Sequence, residues 1–278
     1  MKLTFALLII SLLASVATAR AAEVIRWKAV LVAGDDSIDA FDNARDELGR
    51  KLALSGIAPR DLIDLSFSQT DPGGSIWPAS IDNLRLALLD LHPSRGEGCL
   101  LHLTSHGNED GFFLGDDPAI TPELLSALLD ESCGSVPTVV LVSACYSGIF
   151  TAPVMRRPNR VILTAARDDR SSFGCDAESD YTFWDDCLLR SYESGVSWRE
   201  IYRRIDECIS AKEKQQREPR SFPQGFFGSG VADLRAPSFH WRLPASPAFL
   251  FDWLWGQDNA CYLPSPESPS DGSDLSCL

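Results

Sequence analysis

Two short motifs in the sequence carry residue types that can act together in nucleophilic chemistry. His106 follows the apolar run Cys99–Thr104. Cys145 follows the apolar run that ends at Ala144. Such runs are typical of buried strands, and reactive side chains of open α/β sheets gather beyond the carboxyl ends of the strands. We therefore expect His106 and Cys145 to lie side by side if the two strands are parallel neighbours.

A cysteine beside a histidine forms an activated thiol. A free thiol is mostly protonated at neutral pH, and a nearby imidazolium stabilises the thiolate nucleophile. The same imidazole can protonate the leaving amine of a peptide. The tetrahedral oxyanion needs backbone N–H donors, for which the amides of Gly107 and Cys145 are candidates. Taken alone, such a cysteine is most often structural and a His-Gly pair is most often a turn, so it is the joint placement that indicates catalysis.

The elements that must hold these motifs alternate between strand and helix patterns. Besides the two runs above (the second is Val136–Ala144), the predicted strands are Trp27–Gly34, Leu62–Phe67 and Val161–Ala166. The predicted helices are Ala40–Leu54, Ile81–Leu91, Thr121–Leu129, Tyr181–Tyr192 and Trp198–Lys212, and the polar stretch Glu213–Pro223 is predicted to be a loop. Several strands are apolar throughout, as in sheets covered on both faces. The pattern predicts an α/β fold with a mainly parallel sheet between helices.

Length and composition limit the class of protein. The chain has 278 residues, which suits one large domain or two small ones. Its hydrophobic share of 45% and charged share of 23% are those of a globular protein, which excludes a wholly disordered chain and a coiled coil. The net charge of −14 makes nucleic acid an unexpected partner, because nucleic-acid binding needs a basic surface.

The N-terminus has the pattern of a secretory signal peptide. Lys2 precedes the apolar run Leu3–Val16, and small residues around Ala19 occupy the positions that a signal peptidase reads. The run is shorter than the ~20 residues of a membrane span, although an uncleaved anchor is the alternative. We expect an exported protein, periplasmic or secreted, with no membrane span after signal cleavage.

Three blocks of the chain carry a resemblance to a known family. They are LHLTSHG, ending at Gly107, VVLVSAC, ending at Cys145, and VILTAARDDRSSFGCD, at 161–176. In this order they resemble the legumain (asparaginyl endopeptidase) family of caspase-like cysteine peptidases. The segment KAVLVAGDDSIDAFDNA is similar to that family's first strand and loop, particularly in bacterial members. The resemblance covers about residues 27–230 and implies a caspase-like three-layer α/β/α sandwich with a mainly parallel central sheet.

The resemblance also implies an activity. Cys145 would be the nucleophile, His106 the general acid/base, and the amides of Gly107 and Cys145 the oxyanion hole. The implied protein is an exported cysteine endopeptidase that acts on peptides or proteins and needs no metal or organic cofactor. A peptide ligase or transamidase would use the same dyad, and a non-catalytic caspase-like binding module is a third alternative.

The expected domain organisation follows from these assignments. Residues 1–21 form the signal peptide and residues 22–243 the caspase-like peptidase domain. Residues 244–278 form a C-terminal segment that is first apolar and then rich in serine, proline and aspartate, a composition typical of disorder.

The resemblance is less complete in the substrate pocket. Legumains hold asparagine with an arginine, a glutamate, a serine and an aspartate. The matching positions here are Asp42, Ser143, Ser172 and Asp186, with Asn43 and Asp185 as neighbouring alternatives for the first and last. A pocket without the arginine is more acidic than that of a legumain, and we expect it to admit a basic or small polar P1 residue. In the alternative interpretation, Asp42 and Asp186 are solvated surface carboxylates.

The eight cysteines do not form a simple disulfide set. Once Cys145 is assigned as a thiolate, seven remain: Cys99, Cys133, Cys175, Cys187, Cys208, Cys261 and Cys277. Seven cannot all pair within one chain, so at least one more must be free, buried or intermolecular. We expect Cys99, inside an apolar strand, to be the buried free thiol.

A spacing that could indicate zinc occurs on the same strand. Cys99, His102 and His106 follow a Cys-x2-His-x3-His pattern. Successive side chains of a strand point to opposite faces, so Cys99 would point away from His102. We therefore expect no metal site and interpret His102 as a packed residue.

Overall fold

The computed structural model describes residues 24–68, 75–176 and 178–239. The expected signal peptide and the C-terminal segment lie outside the described residues. No helix within the described ranges is long and apolar enough to cross a membrane.

The described residues form an alternating series of strands and helices. The strands are β1 (Arg26–Ala33), β2 (Leu62–Ser66), β3 (Ile76–Pro78), β4 (Glu97–Thr104), β5 (Gly107–Asn108), β6 (Gly111–Phe112), β7 (Thr138–Ser143), β8 (Arg160–Thr164) and β9 (Gln224–Phe227). The α-helices are α1 (Ala40–Leu54), α2 (Ile81–Leu91), α3 (Pro122–Ser132), α4 (Phe183–Ser191) and α5 (Trp198–Gln216). The predicted strands and helices are therefore all present.

Seven of the strands form one sheet in the order β3-β2-β1-β4-β7-β8-β9. Every neighbouring pair is parallel except β8 with β9. The strands β4, β7 and β8 are buried along their whole length, because helices cover both faces of the sheet. The predicted, mainly parallel sheet is confirmed.

The helices divide between the two faces. Leu88 of α2 and Leu129 of α3 belong to one buried apolar cluster. Leu48 of α1, Leu188 of α4 and Ile205 of α5 belong to the other. The result is the predicted three-layer α/β/α sandwich.

Helix α5 is longer than its apolar periodicity predicts. It continues to Gln216, into the stretch predicted to be a loop. Its last turn is fixed by tertiary contacts, since the buried carboxylate of Glu213 accepts a hydrogen bond from the amide of Ser221 and pairs with Arg220. Periodicity cannot reveal such a contact.

The prediction that Cys99 is free was wrong. Cys99 is bonded to Cys133, which follows the last residue of α3, and Cys187 is bonded to Cys208. The error arose because α3 packs on the same face of β4 as the Cys99 side chain, which sequence position alone did not indicate. Among the described residues the free cysteines are Cys145 and Cys175.

Candidate active site

The register of two central strands brings the predicted dyad to one edge of the sheet. Strands β4 and β7 are parallel neighbours, and Thr104 is paired with Ser143. His106 lies two residues beyond Thr104, and Cys145 lies two residues beyond Ser143. The backbone segments that follow β4 and β7 therefore leave the sheet as neighbours and at matching positions.

The segment after β1 and the first turn of α1 contact the imidazole of His106. The hydroxyl of Ser37 lies 3.0 Å from Nε2 of His106, and the same hydroxyl donates a hydrogen bond to Asp35. Asp35 Oδ1 lies 3.9 Å from Nε2. The ring of Phe41 meets the imidazole edge-on, with centroids 5.2 Å apart. The imidazole therefore has one apolar neighbour, Phe41, and two polar neighbours, Ser37 and Asp35.

A tight turn presents Cys145. The next residue, Tyr146, has a left-handed backbone (φ 59°), and its N–H donates to the carbonyl of Arg170 at 2.7 Å. The buried hydroxyl of Ser147 accepts hydrogen bonds from the amides of Ala165 and Ala166, at 3.0 and 3.2 Å. The turn is thereby fastened to the segment that follows β8.

The sulfur of Cys145 has polar neighbours suited to a thiolate. The N–H of Ser172 donates to Sγ at 3.3 Å, and the Ser172 hydroxyl lies 3.5 Å from Sγ. Hydrogen bonds to a charged form stabilise that form. Ser172, one of the predicted pocket residues, therefore lies against the sulfur of Cys145.

Gly107 lies close enough to the nucleophile turn that a side chain would collide with it. A Cβ at this position would be 2.9 Å from the carbonyl oxygen of Cys145 and 3.1 Å from Cβ of Ala144. The amide of Cys145 donates no hydrogen bond to any other residue of the described chain. The predicted role of this amide in an oxyanion hole stays a prediction.

Comparison with known proteins agrees with this geometry. Residues 94–215, which include both His106 and Cys145, match the model of the Peptidase C13 family. The crystal structure of caspase-1 from Spodoptera frugiperda is similar over 73% of this chain and 87% of that chain, with 11% sequence identity and a TM-score of 0.51. The chain has a caspase-like fold. No curated protein matches it significantly.

The family match supports a cysteine-peptidase-like function within the caspase-like and legumain superfamily. At this low identity the caspase likeness establishes the fold alone. The functional argument therefore depends on the family match and on the residues of the caspase-like domain itself.

The two predicted pocket carboxylates both have cationic partners. Asp42 is buried and accepts hydrogen bonds from Arg45, Ser66 and Ser68 at 2.5, 2.8 and 2.5 Å. It is therefore not a solvated surface carboxylate. Its bonding accounts for both carboxylate oxygens.

Asp186 lies on the side of α4 that faces two basic residues. Its oxygens are 2.8 Å from Arg190 and 2.6 Å from Lys212. Burial raises the pKa of this carboxyl, but the hydrogen bonds from Lys212 and Arg190 outweigh that effect and hold the pKa below its ordinary value. In the described chain no hydrogen bond or ion pair joins Asp186 or Asp42 to Cys145, so the acidic pocket stays a prediction.

Ser143, the remaining pocket residue, is buried beneath the dyad. Its hydroxyl donates to the carboxylate of Asp185 at 2.7 Å. Asp185, the alternative to Asp186 in the sequence analysis, is the aspartate that contacts a predicted pocket residue.

The zinc-like spacing does not bring its three members together. Cys99 is bonded to Cys133, Nε2 of His102 lies 3.1 Å from Asp185, and His106 contacts Ser37. His102 is fully buried. As predicted from strand alternation, Cys99 and His102 contribute to opposite faces of the sheet.

Sequence reasoning missed Asp35 and Ser37, and it named Asp185 only as an alternative to Asp186 in the pocket. Asp35 and Ser37 follow the carboxyl end of β1, so the rule that located His106 and Cys145 could have located them too. Asp185 is the third residue of α4 after the N-cap Thr182, in a Thr-x-x-acid pattern that resembles a capping box. That signal indicates a helix start and gives no reason to expect contact with the strands.

Proposed function

We propose that the protein is an exported cysteine endopeptidase in which Cys145 is the nucleophile and His106 the general acid/base. The observation that carries the proposal is the pairing of Thr104 with Ser143, which delivers both side chains to one sheet edge in step. The Peptidase C13 match over residues 94–215 supports the reaction class. The signal-peptide pattern of residues 1–21 supports export.

The hydrogen bonds around His106 assign a role to each ring nitrogen. The single hydroxyl proton of Ser37 is directed to Asp35, so the Ser37 oxygen accepts from the imidazole. That bond requires the proton on Nε2 of His106. The lone pair on Nδ1 is then free to take the proton of the Cys145 thiol. Asp35, near the ring, stabilises the imidazolium that results.

The reaction follows from these assignments. The thiolate of Cys145 attacks the peptide carbonyl, and the developing oxyanion accepts hydrogen bonds from the amides of Gly107 and Cys145. His106 gives its proton to the leaving amine, which departs and leaves a thioester on Cys145. His106 then takes a proton from water, whose oxygen attacks the thioester and releases the acid product. The thiol regains its proton at the end of the cycle.

The proposed P1 specificity is supported by fewer contacts than the proposed mechanism. Ser172, which contacts Sγ of Cys145, is the pocket residue with the strongest support. Asp42 and Asp186 already have cationic partners, so a basic P1 side chain would have to replace one of those partners. A strict preference for asparagine in cleavage profiles would contradict a basic or small polar P1 residue.

A peptide-library digest with the purified chain lacking residues 1–21 tests the proposal. We expect cleavage by the wild type and none by Cys145→Ala or His106→Ala. Thermal unfolding of the variants serves as the control for folding. Cleavage that persists in Cys145→Ala would overturn the assignment.

A further inference from the structure

A buried carboxylate lies beneath the edge of the sheet that carries the dyad. Asp185, in the first turn of α4, is fully buried. Burial of an unpaired charge is costly, so such a group must be satisfied by hydrogen bonds. The helix N-terminus adds a favourable field for a negative charge at this position.

The donors to Asp185 come from three separate elements. Oδ2 accepts hydrogen bonds from the hydroxyls of Thr104 and Ser143, each at 2.7 Å, and from Thr182 at 2.9 Å. Nε2 of His102 lies 3.1 Å from Oδ1. Thr104 ends β4, Ser143 ends β7, and Thr182 caps α4. One carboxylate therefore joins the ends of two neighbouring strands to a helix.

The hydrogen bonds from Thr104 and Ser143 to Asp185 lie close in sequence to the two residues of the dyad. Thr104 is two residues before His106, and Ser143 is two residues before Cys145. A shift of either strand end moves a catalytic group, and displacements of about 1 Å at a reacting centre can cost about 100-fold in rate.

The orientation of His102 is fixed by the same carboxylate. Nδ1 of His102 is buried and has no hydrogen-bond partner in the described chain. Leaving an N–H donor buried without a partner is costly, so the proton belongs on Nε2, where it is donated to Asp185. Nε2 of His102 is therefore a donor in this network and Asp185 is the acceptor for all four contacts.

We propose that Asp185 is a positioning residue that holds the ends of β4 and β7 in the register the dyad requires. The proposal rests on the proposed cysteine-peptidase function. It gives Asp185 a different task from that of a pocket wall, since a fully buried carboxylate with four donors does not face substrate.

The test measures alkylation of Cys145 by iodoacetamide against pH, followed on the Cys145 peptide by mass spectrometry. It compares the wild type with Asp185→Asn, which keeps the shape but replaces an acceptor oxygen with an N–H₂ donor. Glu97→Gln is the matched control, because Glu97 is a buried carboxylate at the opposite end of β4 that pairs with Arg26 and Lys28.

In Asp185→Asn we expect alkylation at pH 7 to fall at least 10-fold and its pH midpoint to move toward that of an ordinary thiol. On a cleaved peptide, kcat should fall at least 10-fold while KM changes less than 3-fold. Glu97→Gln should lower the melting temperature and leave both rates unchanged. An Asp185→Asn variant that is destabilised but keeps the wild-type alkylation profile overturns the proposal, as does one that changes KM alone.

Two further outcomes are an Asp185→Asn variant that does not fold and a wild type whose Cys145 is not reactive. If Asp185→Asn does not fold, Ser143→Ala and Thr104→Val each remove one tie, and each should lower the alkylation rate several-fold; wild-type rates in both would count against the proposal. A wild-type Cys145 that reacts no faster than glutathione at pH 7 would refute the proposed function itself. A reactive wild type with an equally reactive Asp185→Asn would refute only the positioning role.

Discussion

The hydroxyl of Ser37 lies 3.0 Å from Nε2 of His106. Because Ser37 also donates to Asp35, it connects the imidazole to a carboxylate that is 3.9 Å from the ring nitrogen. The segment after β1 thus supplies an acidic neighbour for His106. The proposed dyad, whose members follow β4 and β7, therefore depends on the end of a third strand, β1.

Ser37→Ala should lower kcat roughly 10-fold, the effect of losing about 1.4 kcal/mol of stabilisation at the transition state. The variant leaves the imidazole without its acceptor at Nε2, so the ring loses its fixed tautomer. Steady-state kinetics on a cleaved peptide measure the effect. Ser132→Ala is the control, because the Ser132 hydroxyl contacts the carbonyl of Leu128 in α3 and the sulfur of Cys133 and neither residue of the dyad. An unchanged kcat in Ser37→Ala would show that the contact has no catalytic role.

Gly107→Ala should lower kcat by about 100-fold, since the new Cβ would be 2.9 Å from the carbonyl of Cys145 and must displace the nucleophile turn. Gly49→Ala is the control. Its Cβ would meet only the flexible end of Leu31, at 3.2 Å, and alanine favours helix α1. Activity assays with circular dichroism separate the two effects, and full activity in Gly107→Ala would be inconsistent with the close approach.

The two free thiols among the described residues should differ strongly in reactivity. Burial, together with the nearby charge of Cys145, raises the pKa of Cys175 to about 12, so Cys175 stays protonated at neutral pH and is a poor nucleophile. Iodoacetamide at pH 7.5 should label Cys145 in the native protein and Cys175 only after denaturation. Peptide mass spectrometry measures both sites, and the Cys145→Ala variant shows whether Cys175 remains unlabelled. Equal labelling of both thiols in the native protein would contradict this prediction.

Asp64 should make stability depend on pH. Burial, partly offset by Arg45, raises the pKa of this carboxyl from 3.8 to about 6. The folded state then binds more protons than the unfolded state between about pH 4 and pH 6, so the free energy of unfolding should fall as the pH rises through that range. Asp64→Asn should remove this fall in the free energy of unfolding and stabilise the protein above pH 6 by on the order of 2 kcal/mol.

Urea unfolding at pH 4 and pH 7 measures the effect of Asp64→Asn. The difference between variant and wild type should be larger at pH 7. Asp116→Asn, which changes an exposed carboxyl on a loop, is the control. A difference that is the same at both pH values would show that the Asp64 carboxyl does not titrate with folding.

The sequence predicts the elements whose apolar pattern is long. Helices α1 and α2 have the predicted bounds, and the bounds of β4 and β7 lie within two residues of theirs. Strands of two to four residues, such as β3, β6 and β9, were not predicted because they are too short to show a period. Helix α5 passes its predicted end because Glu213 is held by tertiary contacts.

The site was predictable to the extent that it follows strand ends. His106 and Cys145 both lie where strand polarity places them. The contacts of Asp185 with β4 and β7 were not predictable, because they join residues 42 to 83 positions apart in sequence through packing of α4 on the sheet. The same applies to Cys99 and Cys133, whose pairing requires the position of α3.

The bond between Cys187 and Cys208 links α4 to α5, and Asp185 lies two residues before Cys187. In the proposed mechanism Cys145 needs a reduced sulfur, whereas helix α4, which carries Asp185, is joined to α5 by an oxidised pair of cysteines. Thiol–disulfide exchange requires access to the sulfur that is attacked. Cys187 is fully buried, but Cys208 is partly exposed, as Cys145 is, so a reductant that keeps Cys145 free also has access to this bond through Cys208. Under the proposed function, activity would therefore be confined to a range of redox potential, bounded on one side by oxidation of Cys145 and on the other by reduction of the bond that joins α4 to α5.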